Sequence, residues 1–376
     1  MGLFACHWLH KRRISYKLTG FFCLRGERSC CRNHFLPQLR SKIADMKRLG
    51  VGLIVTVLLI TSGSWGFLVH RTVNQLAVYQ LPKGMQGFYY KNMDYVVKNS
   101  VRPDQRRNED PTEATKHFID LEAFGDSAAW KMPMDWETAV KQYSRDSLIK
   151  YGYVPYYVII EQQRLTQAFK SGNKDSILFY SADIAHYIGD AHVPLHTSIN
   201  YDGQLTNQRG LHALWETVVP EIVLPEYNLS SRHKAKYLKH PDLAIWQAVR
   251  SGFVLLKDVF EQEREATKMF TDETKYRIQM RNGKEVKYYT SDFAKEYSKR
   301  LGATINQQLN RSASLVADFW YTCWVDAGRP DLSKAMTQVY SDSDKEQFQL
   351  EKKAFRKNEL LKKQWLISKK NSGGGE

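Results

Sequence analysis

Five of the eight histidines beyond Ser64 stand at spacings that suit metal ligation. His186-Tyr-Ile-Gly-Asp190 and His212-Ala-Leu-Trp-Glu216 are both i, i+4 pairs. Residues four apart share one face of a helix, so each pair can offer a nitrogen and a carboxylate oxygen to a single ion. His196 follows just past the helix-ending Pro194. His117 opens His117-Phe-Ile-Asp120 after Asp104 and Arg107, and His70 precedes them all. Taken alone, a His-x-x-x-Asp is commonly a salt-bridged surface pair, and His192, His233 and His240 fit no pattern. Five histidines with three carboxylates are another matter. Nitrogen-rich ligation mixed with carboxylates suits Zn²⁺, and the lack of cysteine ligands argues against a purely structural zinc finger.

Such ligands need rigid elements beneath them, and the hydrophobic periodicity supplies helices. The stretches Glu137 to about Lys170 (with Gly152 and Pro155 as its breakers), Ser176 to His192, Leu243 to about Lys268 and Thr304 to Val325 carry apolar residues at helical spacing. Alternating residues from Tyr276 to Tyr289 around Asn282-Gly283 predict one small β-hairpin. The expectation is a single all-α, multi-helix domain over residues 65–340. The aromatic runs Phe88-Tyr89-Tyr90 and Tyr151 to Tyr157 suit either a pocket lining or the core. Residues 341–376 form a basic tail whose apolar Phe348, Phe355, Leu360, Leu361 and Trp365 are unevenly spaced. They predict a solvated helix with a frayed glycine end, or else a transient contact with a membrane surface or an anionic polymer.

The formal charge of +15 lies mainly at the two ends. Residues 1–64 hold eleven Lys and Arg against Glu27 and Asp45, and residues 344–376 hold nine against five acids. The body between is near neutral, which excludes basicity as an argument for polyanion binding. Four of the five cysteines lie in the first 31 residues, so a chain without that segment keeps only Cys323 and forms no internal disulfide. Met46-Lys47-Arg48, the apolar run Leu49 to Ile60 and Ser62-Gly63-Ser64 follow the pattern of a secretory signal peptide. Residues 1–45 then read as an upstream extension from a mis-called start. Residues 46–64 read as a leader cleaved after Ser64, for a secreted or periplasmic protein. The alternative is a membrane anchor over Leu49–Val69, although its strongly apolar part is shorter than the roughly 20 residues a span needs.

Four segments resemble the motifs of the trinuclear zinc phosphodiesterases. They are Trp65-Gly-Phe-Leu-Val-His70, His117-Phe-Ile-Asp120, His186-Tyr-Ile-Gly-Asp-Ala-His-Val-Pro-Leu-His196 and Leu211-His-Ala-Leu-Trp-Glu216. That superfamily comprises the fungal and plant single-strand-specific nucleases and the bacterial zinc-dependent phospholipases C. The likeness runs from Trp65 to about Leu332, and the His186–Glu216 block is its most specific part. It implies an all-α fold and three zinc ions per chain. The first would take Asp104, His117, His186 and Asp190, and the second His196, His212 and Glu216. The third would take His70, Asp190 as a bridge, and the free amine and carbonyl of Trp65, which cleavage after Ser64 would create. Asp110 is a substitute for Asp104.

The chemistry implied is phosphodiester hydrolysis by a zinc-activated hydroxide. Asp104 would orient or deprotonate the water, and Arg107 would offset charge growing on the phosphoryl oxygens. Phe118 would stack on a base or apolar group, or pack in the core, and Asp120 would read the edge of that group. Glu216 and the short His196–His212 spacing lean towards phospholipase C. The Trp65-to-His70 step, with Phe118 and Arg107, leans towards a single-strand nuclease or 3′-nucleotidase, so phospholipase C is slightly preferred and the nuclease is the alternative. The expected substrate is a phospholipid or single-stranded nucleic acid, and no protein partner is implied. The reading from another class is a non-catalytic zinc-binding or membrane-anchored interaction protein.

Overall fold

The computed structural model describes residues 66–370, Asn282 excepted. Six of the helices described have twelve or more residues. They are α1 (Phe67–Val78), α2 (Val154–Ser171), α3 (Lys174–Asp190), α4 (Pro241–Thr267), α5 (Thr304–Asp326) and α6 (Asp342–Arg356). Shorter helical turns connect them, and the two-stranded antiparallel sheet β1 (Tyr276–Arg281) and β2 (Lys284–Tyr289) pairs Tyr276 with Tyr289. The all-α expectation with one hairpin describes this architecture. Of the hairpin turn, Asn282 lies outside the described residues, and Gly283 takes φ +73°. The leader, and with it Trp65, also lies outside them. No helix described is long and apolar enough to cross a membrane.

Helix α1 runs through the core, with nine of its twelve residues buried. A helix enclosed in this way must satisfy its polar side chains internally. Thr72 Oγ1 donates to the Leu68 carbonyl at 2.7 Å, Asn74 Nδ2 to the His70 carbonyl at 3.0 Å, and Gln75 Nε2 to the Trp365 carbonyl at 2.7 Å. Helices α3 and α5 pack against it, and α2 packs on both of those. The α2–α3 corner is made by Gly172 in the left-handed region and by Asn173, whose side chain accepts from the Ser176 amide and caps α3.

Two expectations need correction. The run from Glu137 to Lys170 is three helices, Trp136–Tyr143, Arg145–Lys150 and α2. The chain breaks at Ser144 (φ 65°), whose hydroxyl caps the second helix, and at Gly152 (φ +83°). The tail, in turn, is docked. Phe348, Phe355, Leu360 and Leu366 are buried, and the core continues past residue 340. Phe348 and Phe355 pack on Tyr79, Glu351 accepts from the Tyr79 hydroxyl at 2.9 Å, and Ser368 Oγ meets Thr72 Oγ1 at 2.8 Å. The uneven spacing arises because α6 supplies a helical face while the segment after it returns along α1 through turns and a short helix, Ile367–Lys370. Phe88, Tyr89, Tyr156 and Tyr157 are core residues.

Phe355→Ala should cost about 3–5 kcal/mol by removing a buried ring. At the exposed Lys362, alanine should cost no more than about 0.5 kcal/mol. Denaturant unfolding of both variants measures the difference, and equal midpoints would contradict a docked tail.

Candidate metal centre

His186 and Asp190 occupy the last turn of α3, both buried. His186 Nδ1–H donates to the Ser100 carbonyl at 2.8 Å. That bond turns Nε2 towards His117 Nδ1 (3.1 Å), Asp190 Oδ2 (3.2 Å) and Asp104 Oδ1 (3.7 Å). His117 Nδ1 is itself 2.9 Å from Asp190 Oδ2 and 3.7 Å from Asp104 Oδ1. The strap bearing His117 is fixed by backbone bonds. Ile119 N–H donates to the His196 carbonyl, Asp120 N–H to that of Tyr151, and Val154 N–H to that of Phe118.

A second group forms where His196, from the short helical turn Pro194–Thr197, meets His212 and Glu216. The two Nε2 atoms are 2.9 Å apart, and Glu216 Oε2 lies 2.7 Å from that of His212 and 3.7 Å from that of His196. Glu216 sits in a widened i→i+5 turn, Leu214–Val218, an irregularity frequent at functional sites. The third group centres on His70 Nε2, which is 3.5 Å from both Asp190 Oδ1 and Glu216 Oε1. Asp190 therefore faces all three groups, its Oδ1 also lying 3.6 Å from His196 Nδ1.

These separations fit zinc. Bonds of 2.0–2.2 Å in a tetrahedral shell place ligand atoms roughly 3.3–3.5 Å apart. Facing imidazole nitrogens with a carboxylate beside them share a cation more readily than they share one proton. Charge points the same way. Asp190 is buried at the C-terminal end of a helix, where the macrodipole disfavours an anion. Burial pushes its carboxyl up, yet His186, His117 and His196 hold it well below its usual range. Glu216 is likewise held well below its own, chiefly by His212 and His70 against burial.

The structure thus brings together His70, Asp104, His117, His186, Asp190, His196, His212 and Glu216. Asp110 stands elsewhere, accepting from Thr112 and lying 3.6 Å from Lys116. Arg107 is exposed, with Nη1 3.7 Å from Asp104 Oδ1. Phe118 and Asp120 lie on the strap beyond His117. Gly152 leans on Phe118 so closely that a Cβ there would sit 2.3 Å from its carbonyl oxygen. Asp120 is buried, and burial with nearby Glu122 pushes its carboxyl up to about 6.

One buried carboxylate had escaped the sequence reading. Glu113 Oε1 lies 3.5 Å from His117 Nε2, on the ring's far side from Asp190. Lys116 Nζ bonds it at 2.7 Å, Arg106 Nη2 at 3.3 Å, and the Tyr187 hydroxyl also donates to it. Against burial, these partners hold its carboxyl well below the ordinary value. A carboxylate behind an imidazole fixes the tautomer that leaves the other nitrogen free for a metal.

The S1/P1 nuclease family model matches residues 65–319, which include every member of the cluster. The chain belongs to the S1/P1 nuclease family. No curated protein matches it. Among solved structures, the alpha toxin from Clostridium absonum is 13% identical with a TM-score of 0.40, over 75% of this chain and 66% of the toxin. This chain thus spans just under two thirds of the toxin's length. The nuclease-family match places the His186–Glu216 block, the strap and α1 in one family domain.

Glu113→Gln should weaken zinc binding by about 10- to 100-fold, read by chelator competition with the helical content unchanged. Asp120 gives a pH signature. Its folded value, about 6, is above that of the unfolded chain, so its favourable contribution is complete below about pH 3.8 and is lost as pH rises through 6. Metal-free Asp120→Asn should therefore gain stability relative to the parent between pH 4 and 7, and a pH-independent difference would contradict the assignment.

Proposed function

We propose that this protein is an exported, zinc-dependent phosphodiesterase acting on nucleic acid. The observation that carries the reading is the meeting of three His–carboxylate groups around the buried Asp190, which belongs to two of them and lies 3.6 Å from His196 Nδ1 of the third. On this reading the chain would hold three zinc ions. The first has Asp104, His117, His186 and Asp190, the second His196, His212 and Glu216, and the third His70 and Asp190 with the amine and carbonyl of Trp65. Cleavage after Ser64 would free that amine, whose pKa of about 7.7–8.0 lets a metal displace its proton readily. Zinc, when bound, supplies a water of lowered pKa and Lewis acidity towards phosphoryl oxygens.

The chain's own groups do the rest. Asp104, partly exposed at the edge of the first group, orients the attacking water and takes its proton. Arg107 reaches outward beside it and offsets charge growing on the phosphoryl oxygens. Phe118 and Asp120 lie next along the strap, where a ring can stack on a base and a carboxylate can accept from its edge. Membership of the S1/P1 nuclease family supports nucleic acid as the substrate.

A second reading, phospholipid hydrolysis, is favoured by the loop between His196 and His212. Its backbone is braced by Asn200, Gln204 and Glu122, yet it leaves Ile199, Tyr201 and Leu205 exposed by 41%, 52% and 67%. The Tyr201 ring lies 6.3 Å from that of His212, and exposed apolar groups beside the cluster suit an apolar substrate.

The protein should cut single-stranded oligonucleotides, lose that activity to a chelator and recover it with added zinc. His186→Ala should lower the rate by about two to three orders of magnitude. Hydrolysis of phosphatidylcholine vesicles without cleavage of oligonucleotides would establish the second reading instead. Zinc-loaded protein inert on both would contradict a phosphodiesterase.

A further inference from the structure

Beside His70 lies a small cavity of about 20 Å³, which Glu216 also borders. Its lining includes Gly189, Trp215, Gln308 and Ser312. Three buried polar atoms of lining residues have no hydrogen-bond partner within the protein. They are His70 Nδ1, Trp215 Nε1 and Ser312 Oγ. Buried polar groups are rarely left unpaired, and three around one cavity point to a shared partner. The volume suits one water molecule, which needs at least about 10–15 Å³ and two to four polar neighbours. Gly189 keeps the space open. A Cβ there would lie 2.9 Å from His70 Nδ1 and 3.9 Å from Ser312 Oγ, so both atoms border the space that Gly189 leaves.

The donor and acceptor roles agree. His70 Nε2 faces two carboxylates and must be unprotonated to bind a metal, which places the ring hydrogen on Nδ1. Trp215 Nε1 can only donate, and a serine hydroxyl can accept. One water can accept from both N–H groups and donate to Ser312 Oγ. We propose that a single buried water bridges His70, Trp215 and Ser312, making Trp215 and Ser312 positioning residues for the zinc that His70 holds. The bridge orients the ring and fixes its tautomer, as Ser100 does for His186 and Glu113 for His117. This inference rests on the reading above that His70 ligates zinc.

The test uses zinc-loaded protein titrated with a chromogenic chelator. Ser312→Ala and Trp215→Phe should each weaken one zinc by about tenfold or more while the others keep their parental affinity. Ser181→Ala serves as control, because Ser181 is a buried serine bonded to Tyr89 rather than to this cavity. Parental affinity for every zinc in both Ser312→Ala and Trp215→Phe would overturn the bridge. So would a loss spread evenly over all zincs, or one matched by Ser181→Ala. A His70→Ala protein that retained every zinc would overturn the ligand assignment itself, which separates the two failures.

Discussion

The carboxylate of Asp190 sets the terms for the rest of the molecule. It is buried, ends a helix with its charge against the dipole, and is met by imidazoles of His70, His117, His186 and His196. A charge so placed is tolerable only among cations or groups that recruit them. An imidazole can recruit a metal only with a lone pair facing inward, which leaves an N–H on its outer side. His70, His117 and His186 then each create a demand one layer further out. His186 meets it with a backbone carbonyl and His117 with a carboxylate, itself held by Lys116, Arg106 and Tyr187.

The long helices answer the same requirement mechanically. Ligands must be held to within about half an ångström, which a loop alone does poorly. Helix α3 carries His186 and Asp190 together, and α1 carries His70 through the core, gripped by the returning tail at Thr72 and Gln75. The strap with His117 has little regular structure of its own. It borrows rigidity from hydrogen bonds to His196, Tyr151 and Val154, and from its tight contact with Gly152.

Much of this was legible in the sequence because its signals are local. The i, i+4 pairs at His186 and His212 declared a shared face, and four apolar-periodic stretches declared helices. Other features were hidden for identifiable reasons. Glu113 precedes His117 by the same four-residue step, a signal open to reading but masked by the acidic, polar segment around it. Ser100 contributes a carbonyl, which no side-chain pattern reveals. The break at Ser144 depends on a positive φ at a residue that rarely adopts one. The tail looked solvated because its apolar residues follow no single period, and only the tertiary fold gathers Phe355, Leu360 and Leu366 into one core.

The most direct test of this account is a zinc count on protein exported by a secreting host, with intact mass fixing its first residue. A chain beginning at Trp65 and holding three zinc ions after equilibration with excess zinc is the predicted result. A chain beginning at Trp65 that binds only one zinc ion, or none, would contradict it.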